Sequence, residues 1–206
     1  HAIQTRLRSV NFGIPFPRVV LFVGQGTTNG HAFYDGTQMV VWVPVEAYAS
    51  KTQVKVFLLH EILHGLHYTA RSEFFFRNAR EKRHVGRQII TEGIATYLTR
   101  YLLRVDDATA LWADYLPRAK NRSWLKECED RKQELFAYTS AHWDDTGLKV
   151  ELFSANDPSD VLQYRAGYFI GLRLIETIVQ CERYTPKDLL RVPRSVLEVA
   201  CRNIFA

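Results

Sequence analysis

VFLLHEILHGLHYT, Val56 to Thr69, sets three histidines and one glutamate in an otherwise apolar segment. Residues four apart on an α-helix are neighbours on one face, so a helix through this stretch turns His60 and His64 toward a common point, with Glu61 next round the helix. The pattern His-Glu-x-x-His fits a metal held by two imidazoles, with the carboxylate within reach of a water on that metal. The competing reading is a core helix whose histidines bond to backbone or to each other. Burying Glu61 between two histidines costs several kcal/mol unless its charge is paired, and a cation is the most effective partner.

A catalytic zinc needs a third protein ligand and keeps its fourth position open. A second helix, expected over about Arg80 to Arg104, carries Ile89, Ile90, Ile94, Ala95, Leu98 and Leu102 at three- and four-residue intervals. Glu92 lies in that apolar face, where an unpaired carboxylate is costly to bury, and is the candidate third ligand. His67 is the alternative. It projects from nearly the same side of the first helix, but His60 and His67 are spread along about 10 Å of a straight helix, which opposes convergence on one tetrahedral centre.

Outward from these helices, the N-terminal third reads as strand. RVVLFV (Arg18–Val23) is a β-branched apolar run, and GQGTTNG (Gly24–Gly30) is loop by its glycines. Asp35-Gly36, between the candidate strands His31–Tyr34 and Thr37–Val43, signals a hairpin, and Pro44 should end the second strand. From Ala47 onward helical spacing takes over. A first helix is expected over about Lys51–Tyr68, and further helices near Asp107–Leu116, Leu125–Ala137, Val161–Cys181 and Pro186–Ile204. SANDPSD (Ser154–Asp160) is loop and a cap for the helix that follows. The expected class is α+β: a short N-terminal sheet with a hairpin over residues 1–46, then a mostly helical region over 47–206, without repeats or a linker.

At 206 residues and 47% hydrophobic content the chain can bury a full core without staples. Its three cysteines, an odd number without close spacing, exclude a disulfide framework or a thiolate zinc cluster and read as buried free thiols. No apolar run is long enough to cross a bilayer. The expectation is a soluble chain, cytoplasmic or exported after removal of a leader. The net charge of +5 raises nucleic acid as a partner, and the densest basic stretch is RNAREKRHVGR (Arg77–Arg87). It has no interleaved aromatic to stack on bases, so it reads as a solvated face, and nucleic acid is not an expected partner.

Three segments together resemble the gluzincin metallopeptidases, most of all the branch with the thermolysin-like and aminopeptidase N-type enzymes: HEILH at His60–His64, TEGIATY at Thr91–Tyr97, and YRAGYFIGLRLI at Tyr164–Ile175. The family's Asn-Glu-Gly-Phe-Ala is similar to Thr91-Glu92-Gly93-Ile94-Ala95, and its Tyr-x-x-Gly is similar to Tyr164-Arg165-Ala166-Gly167. The resemblance implies one zincin-like peptidase domain over residues 1–206, with one zinc per chain on His60, His64 and Glu92. It also implies Glu61 as general base, Tyr164 as donor to the oxyanion with Tyr168 as its fallback, and edge pairing of a peptide or protein substrate on Thr37–Val43. His84 and His142 are further candidate donors, read otherwise as exposed. Two departures stand out. The connector between His64 and Glu92 is longer than in the aminopeptidases, and Phe33, in GHAFYDG (Gly30–Gly36), takes the place of the glutamate that holds a substrate's free N-terminus. Exopeptidase specificity is therefore not implied, and the chain looks closer to a compact bacterial type of predicted zinc protease.

The expected activity is thus zinc-dependent peptide-bond hydrolysis, with a catalytically silent, zinc-containing binding module as the alternative. Glu61 discriminates between them, because a structural zinc site has no use for a general base. Substrate preference and oligomeric state are not legible.

Overall fold

The computed structural model describes residues 2–24, 30–147 and 149–205. In chain order these form α1 (Ala2–Val10), β1 (Arg18–Phe22), β2 (His31–Asp35), β3 (Gln38–Pro44), α2 (Lys51–Ala70), α3 (Ala79–Lys82), α4 (Val85–Leu103), α5 (Asp107–Trp112), α6 (Arg118–Asp130), α7 (Lys132–Ala141), α8 (Lys149–Phe153), α9 (Ala166–Glu182), α10 (Pro186–Leu189) and α11 (Arg194–Phe205). The class is α+β, with the strands before all helices but one. The loop expected at Gly24–Gly30 falls mostly on residues 25–29, outside the described residues.

The hairpin joins β2 to β3 with Asp35 opposite Gln38, so its turn centres on Gly36-Thr37, one residue later than expected. Gly36 has φ +62°, the glycine-first form of a two-residue hairpin turn. β1 runs parallel to β3 on its other side, giving the order β1-β3-β2. The second hairpin strand is therefore central and fully paired, and cannot receive a substrate by edge pairing; β2 is the edge strand on that side. Val40, Val41 and Val43 are almost wholly buried, as befits a central strand.

Ser50 starts α2: its hydroxyl oxygen accepts from the Gln53 backbone N–H at 3.1 Å, while Gln53 Oε1 accepts from the Ala49 N–H at 2.8 Å. The helix packs against β2 and β3 on one side and against α4 on the other, and α4 packs in turn on α9. One core fills these layers, including Leu59, Leu63 and Leu66 of α2, Ile89, Ile90, Ile94 and Leu98 of α4, and Phe169, Ile170 and Leu174 of α9. Each such side chain contributes about 1.5–3 kcal/mol by leaving water. No described helix is long and apolar enough to cross a membrane.

Several expected helices are split. The Arg80–Arg104 helix breaks at Arg83-His84, because His84 Nδ1 accepts from the Arg87 N–H at 3.3 Å and caps α4, while Val85 and Gly86 donate to the carbonyls of Asp145 and Trp143. The Val161–Cys181 helix breaks at Tyr164-Arg165, where Arg165 takes φ +63° after a short 3-10 turn. Pro193 separates α10 from α11, since a proline disfavours helix in the residue before it. Cys128 and Cys201 are buried free thiols as expected, but Cys181 is exposed.

Candidate metal centre

The frame of α2 and its packing on α4 bring three donor atoms together. His60 Nε2 lies 3.0 Å from Glu92 Oε2, His64 Nε2 lies 3.0 Å from His60 Nε2, and His64 Nε2 lies 3.3 Å from Glu92 Oε2. An ion with tetrahedral bonds of about 2.0–2.1 Å sets its ligand atoms about 3.3 Å apart, so the triangle matches the face such an ion would occupy. Both imidazoles are buried and the glutamate is nearly so. Two neutral ring nitrogens facing each other at 3.0 Å share at most one proton, and a cation among the three acceptors satisfies all of them. The residues therefore fit a divalent metal. One feature is less usual: His64 Nδ1 is buried without a partner among the described residues, whereas ligating histidines ordinarily donate from that nitrogen.

The electrostatics are those of a coupled buried cluster. Burial alone would raise Glu92, but the adjacent His64 and His60 outweigh it and hold the carboxyl well below the usual carboxylate range. His64 is disfavoured as a cation by burial, yet Glu92 and then Glu61 raise it above the ordinary imidazole value. Glu61 is raised, chiefly by burial, against the pull of His64 and His60.

Glu61 faces a cavity of about 470 Å³ that Glu92, His64 and Tyr168 also line. Gly30, at φ +123°, makes room for it, since a Cβ there would lie 3.1 Å from Glu61 Cγ. Tyr168, on the first turn of α9, has its ring 6.2 Å from that of His60, and burial followed by the charge of Glu92 raises its pKa. Arg165 lies over the Tyr168 ring at 4.3 Å. Tyr164 sits elsewhere. Its ring packs on Trp112 at 4.9 Å, its carbonyl accepts from Trp124 Nε1 at 2.8 Å, and it is not among the residues lining the cavity. The cause is the αL turn at Arg165, which swings Tyr164 off the helix that carries Tyr168.

His67 stays apart from the donor triangle. It is 1% exposed, its ring lies 4.1 Å from that of Phe74, neither ring nitrogen has a partner among the described residues, and burial lowers its pKa to about 3. His142 pairs with Asp145 at 2.7 Å, and Phe33 packs edge-on against Trp42 at 4.9 Å.

The basic stretch Arg77–Arg87 is not one solvated face. Arg87 is 6% exposed and braces the connector before α4, donating to the Glu73 and Phe75 carbonyls at 2.7 and 2.8 Å and pairing with Glu81 at 3.1 Å. Arg77 and Lys82 line the cavity, as does Gln88, which the sequence reading passed over. Its position one helical turn before Glu92 was the available signal, because residues four apart share a face.

Comparison of the chain with protein-family models, curated proteins and solved structures gave no match in any of the three. A functional reading therefore rests on the geometry of the chain's own residues.

Proposed function

We propose that the chain is a zinc-dependent peptidase whose metal is held by His60, His64 and Glu92, with the sheet, α2 and α4 acting as a zincin-like catalytic core. The observation that carries this reading is the donor triangle, 3.0, 3.0 and 3.3 Å on its sides, with Glu61 beside it on the cavity wall. Zinc bound there would polarise a peptide carbonyl and lower the pKa of water in the site. Glu61, a carboxyl raised by burial, suits a group that takes a proton and returns it to the leaving amine. Tyr168, kept protonated by burial, takes the place expected for Tyr164 as donor to the oxygen that becomes negative. Among the described residues β2 pairs only with β3, so its outer edge, next to Gly30, His31 and Ala32 on the cavity wall, offers backbone groups to an extended peptide.

The test is Glu61→Gln, assayed for zinc by mass spectrometry and for hydrolysis of unstructured casein. The expected result is about one zinc per chain in both proteins and a loss of at least about 100-fold in hydrolysis for the variant. Undiminished hydrolysis would remove Glu61 as the base. A zinc-loaded parent that cleaves nothing would favour the silent binding module.

A further inference from the structure

The cavity carries two charged groups of side chains. Glu61, Glu92 and His64 form one, and both carboxylates there are close to the imidazoles of the donor triangle. Arg77 and Lys82 form the other, presented by the connector and by α3. Neither cation has an ion-pair partner among the described residues, unlike the neighbouring Arg87, which pairs with Glu81. Glu81 is itself committed: its carboxylate receives Arg87 and the Arg77 backbone N–H at 2.8 Å. The two cations thus stand on a braced segment. Gln88, on α4, lines the same cavity; it is 4% exposed, and its carboxamide oxygen has no partner among the described residues. Leaving such an acceptor unengaged costs about 1–3 kcal/mol, which an N–H donated by a bound peptide would recover.

Tyr68, Phe75, Phe76, Phe153 and Tyr168 give the cavity an aromatic wall as well. Low-dielectric walls strengthen the attraction of fixed charges for a ligand of opposite sign.

We propose that Arg77 and Lys82 form a subsite for a substrate carboxylate, while the Gln88 carboxamide oxygen accepts from a peptide N–H, so that the peptidase prefers peptides with an acidic group close to the bond that is cut. This rests on the peptidase reading above for the cut itself. The acidic group has two sources, an Asp or Glu side chain or the peptide's own C-terminus. In that arrangement the scissile carbonyl lies toward His60 and His64, and the carboxylate toward Arg77 and Lys82.

The test uses four fluorescent pools of random hexapeptides, with one fixed Glu or Gln and with a free or amidated C-terminus. Binding is measured by anisotropy on the zinc-loaded Glu61→Gln full chain, where turnover is removed, and hydrolysis on the native chain. Pools with a fixed Glu or a free C-terminus are expected to bind about tenfold more tightly than the fully neutral pool. The difference should vanish in Arg77→Gln/Lys82→Gln, two exposed positions whose change leaves the core intact. Preference for the Glu pools identifies a side-chain carboxylate, and preference for the free-acid pools a C-terminal one. Equal binding of all four pools, or a preference that survives the double substitution, overturns the subsite. A carboxylate preference in binding with no hydrolysis by the native chain overturns the peptidase reading and leaves the subsite standing.

Discussion

Gly93 of α4 and Gly171 of α9 are in backbone contact: a Cβ on Gly93 would lie 2.5 Å from the Gly171 carbonyl oxygen, and a Cβ on Gly171 would lie 2.6 Å from that of Ile89. This approach brings Glu92, the neighbour of Gly93, and Tyr168, one turn before Gly171, to the same cavity. Ordinarily Gly to Ala in a helix interior gains about 1 kcal/mol. Here overpacking against backbone, which cannot rotate away, costs about 1–3 kcal/mol or more and wins. Gly93→Ala is expected to lower the urea midpoint and to weaken zinc binding at the same time. A variant more stable than the parent would mean that the helices do not approach so closely.

Tyr168 and Tyr164 separate the cavity from the core. Tyr168→Phe removes the hydroxyl assigned to the oxyanion, and kcat should fall about 100-fold or more with zinc content unchanged. Tyr164→Phe leaves the packing on Trp112 in place and should keep kcat within about twofold. Steady-state kinetics on one casein-derived peptide decides it. The reverse order of effects would return the role to Tyr164.

The acid limit of stability is set partly by a closed ring of charges. Arg100 donates to Asp107 and Glu176 at 2.6 Å each, and Arg173 donates to Asp107 at 2.6 Å and to Glu176 at 3.0 Å, tying α4, α5 and α9 together. Burial opposes ionisation of Asp107, but the hydrogen bonds from Arg100 and Arg173 outweigh it and hold the carboxyl below its ordinary value. A carboxyl depressed in the folded state stabilises fully above its unfolded pKa, near 4, and that contribution is lost as pH falls through the lower folded value. Asp107→Asn should therefore cost about 2 kcal/mol at pH 7 and progressively less below about pH 4. Urea unfolding at pH 7 and pH 3 measures both. An equal cost at the two pH values would mean that the charge of Asp107 is not what the ring uses.

Which parts of this were legible follows from the range of the forces involved. The hairpin and α2 were, because turn chemistry, capping and helical spacing act within a few residues, and His60 and His64 are fixed by one helix. Glu92 was legible because a carboxylate in an apolar face demands a partner. The strand order was not, since parallel pairing of β1 with β3 is a long-range event, although the run Met39–Val43 had the continuous apolar character of a central strand. α1 was missed despite Ile3, Leu7 and Val10 at helical spacing, with Leu7 only 2% exposed. The side of the helix on which a tyrosine falls depends on a single αL residue, Arg165, and an arginine gives no local signal for that conformation.

His67 and Glu92 offer the last discrimination, because both are buried polar groups near the same helix pair and only one belongs to the donor triangle. A histidine with two unpartnered ring nitrogens in an aromatic pocket carries the desolvation cost of those atoms with nothing in return. His67→Leu removes that cost while retaining apolar bulk, and should be neutral or stabilising by about 1 kcal/mol with full zinc content. Glu92→Ala should behave oppositely. It deletes one ligand and the carboxylate that touches both imidazoles, so zinc is lost or greatly weakened. Metal content by mass spectrometry, with urea midpoints on the same samples, separates the two. Zinc lost from His67→Leu and kept in Glu92→Ala would make His67 the third ligand, and would require α2 to bend in the metal-bound protein.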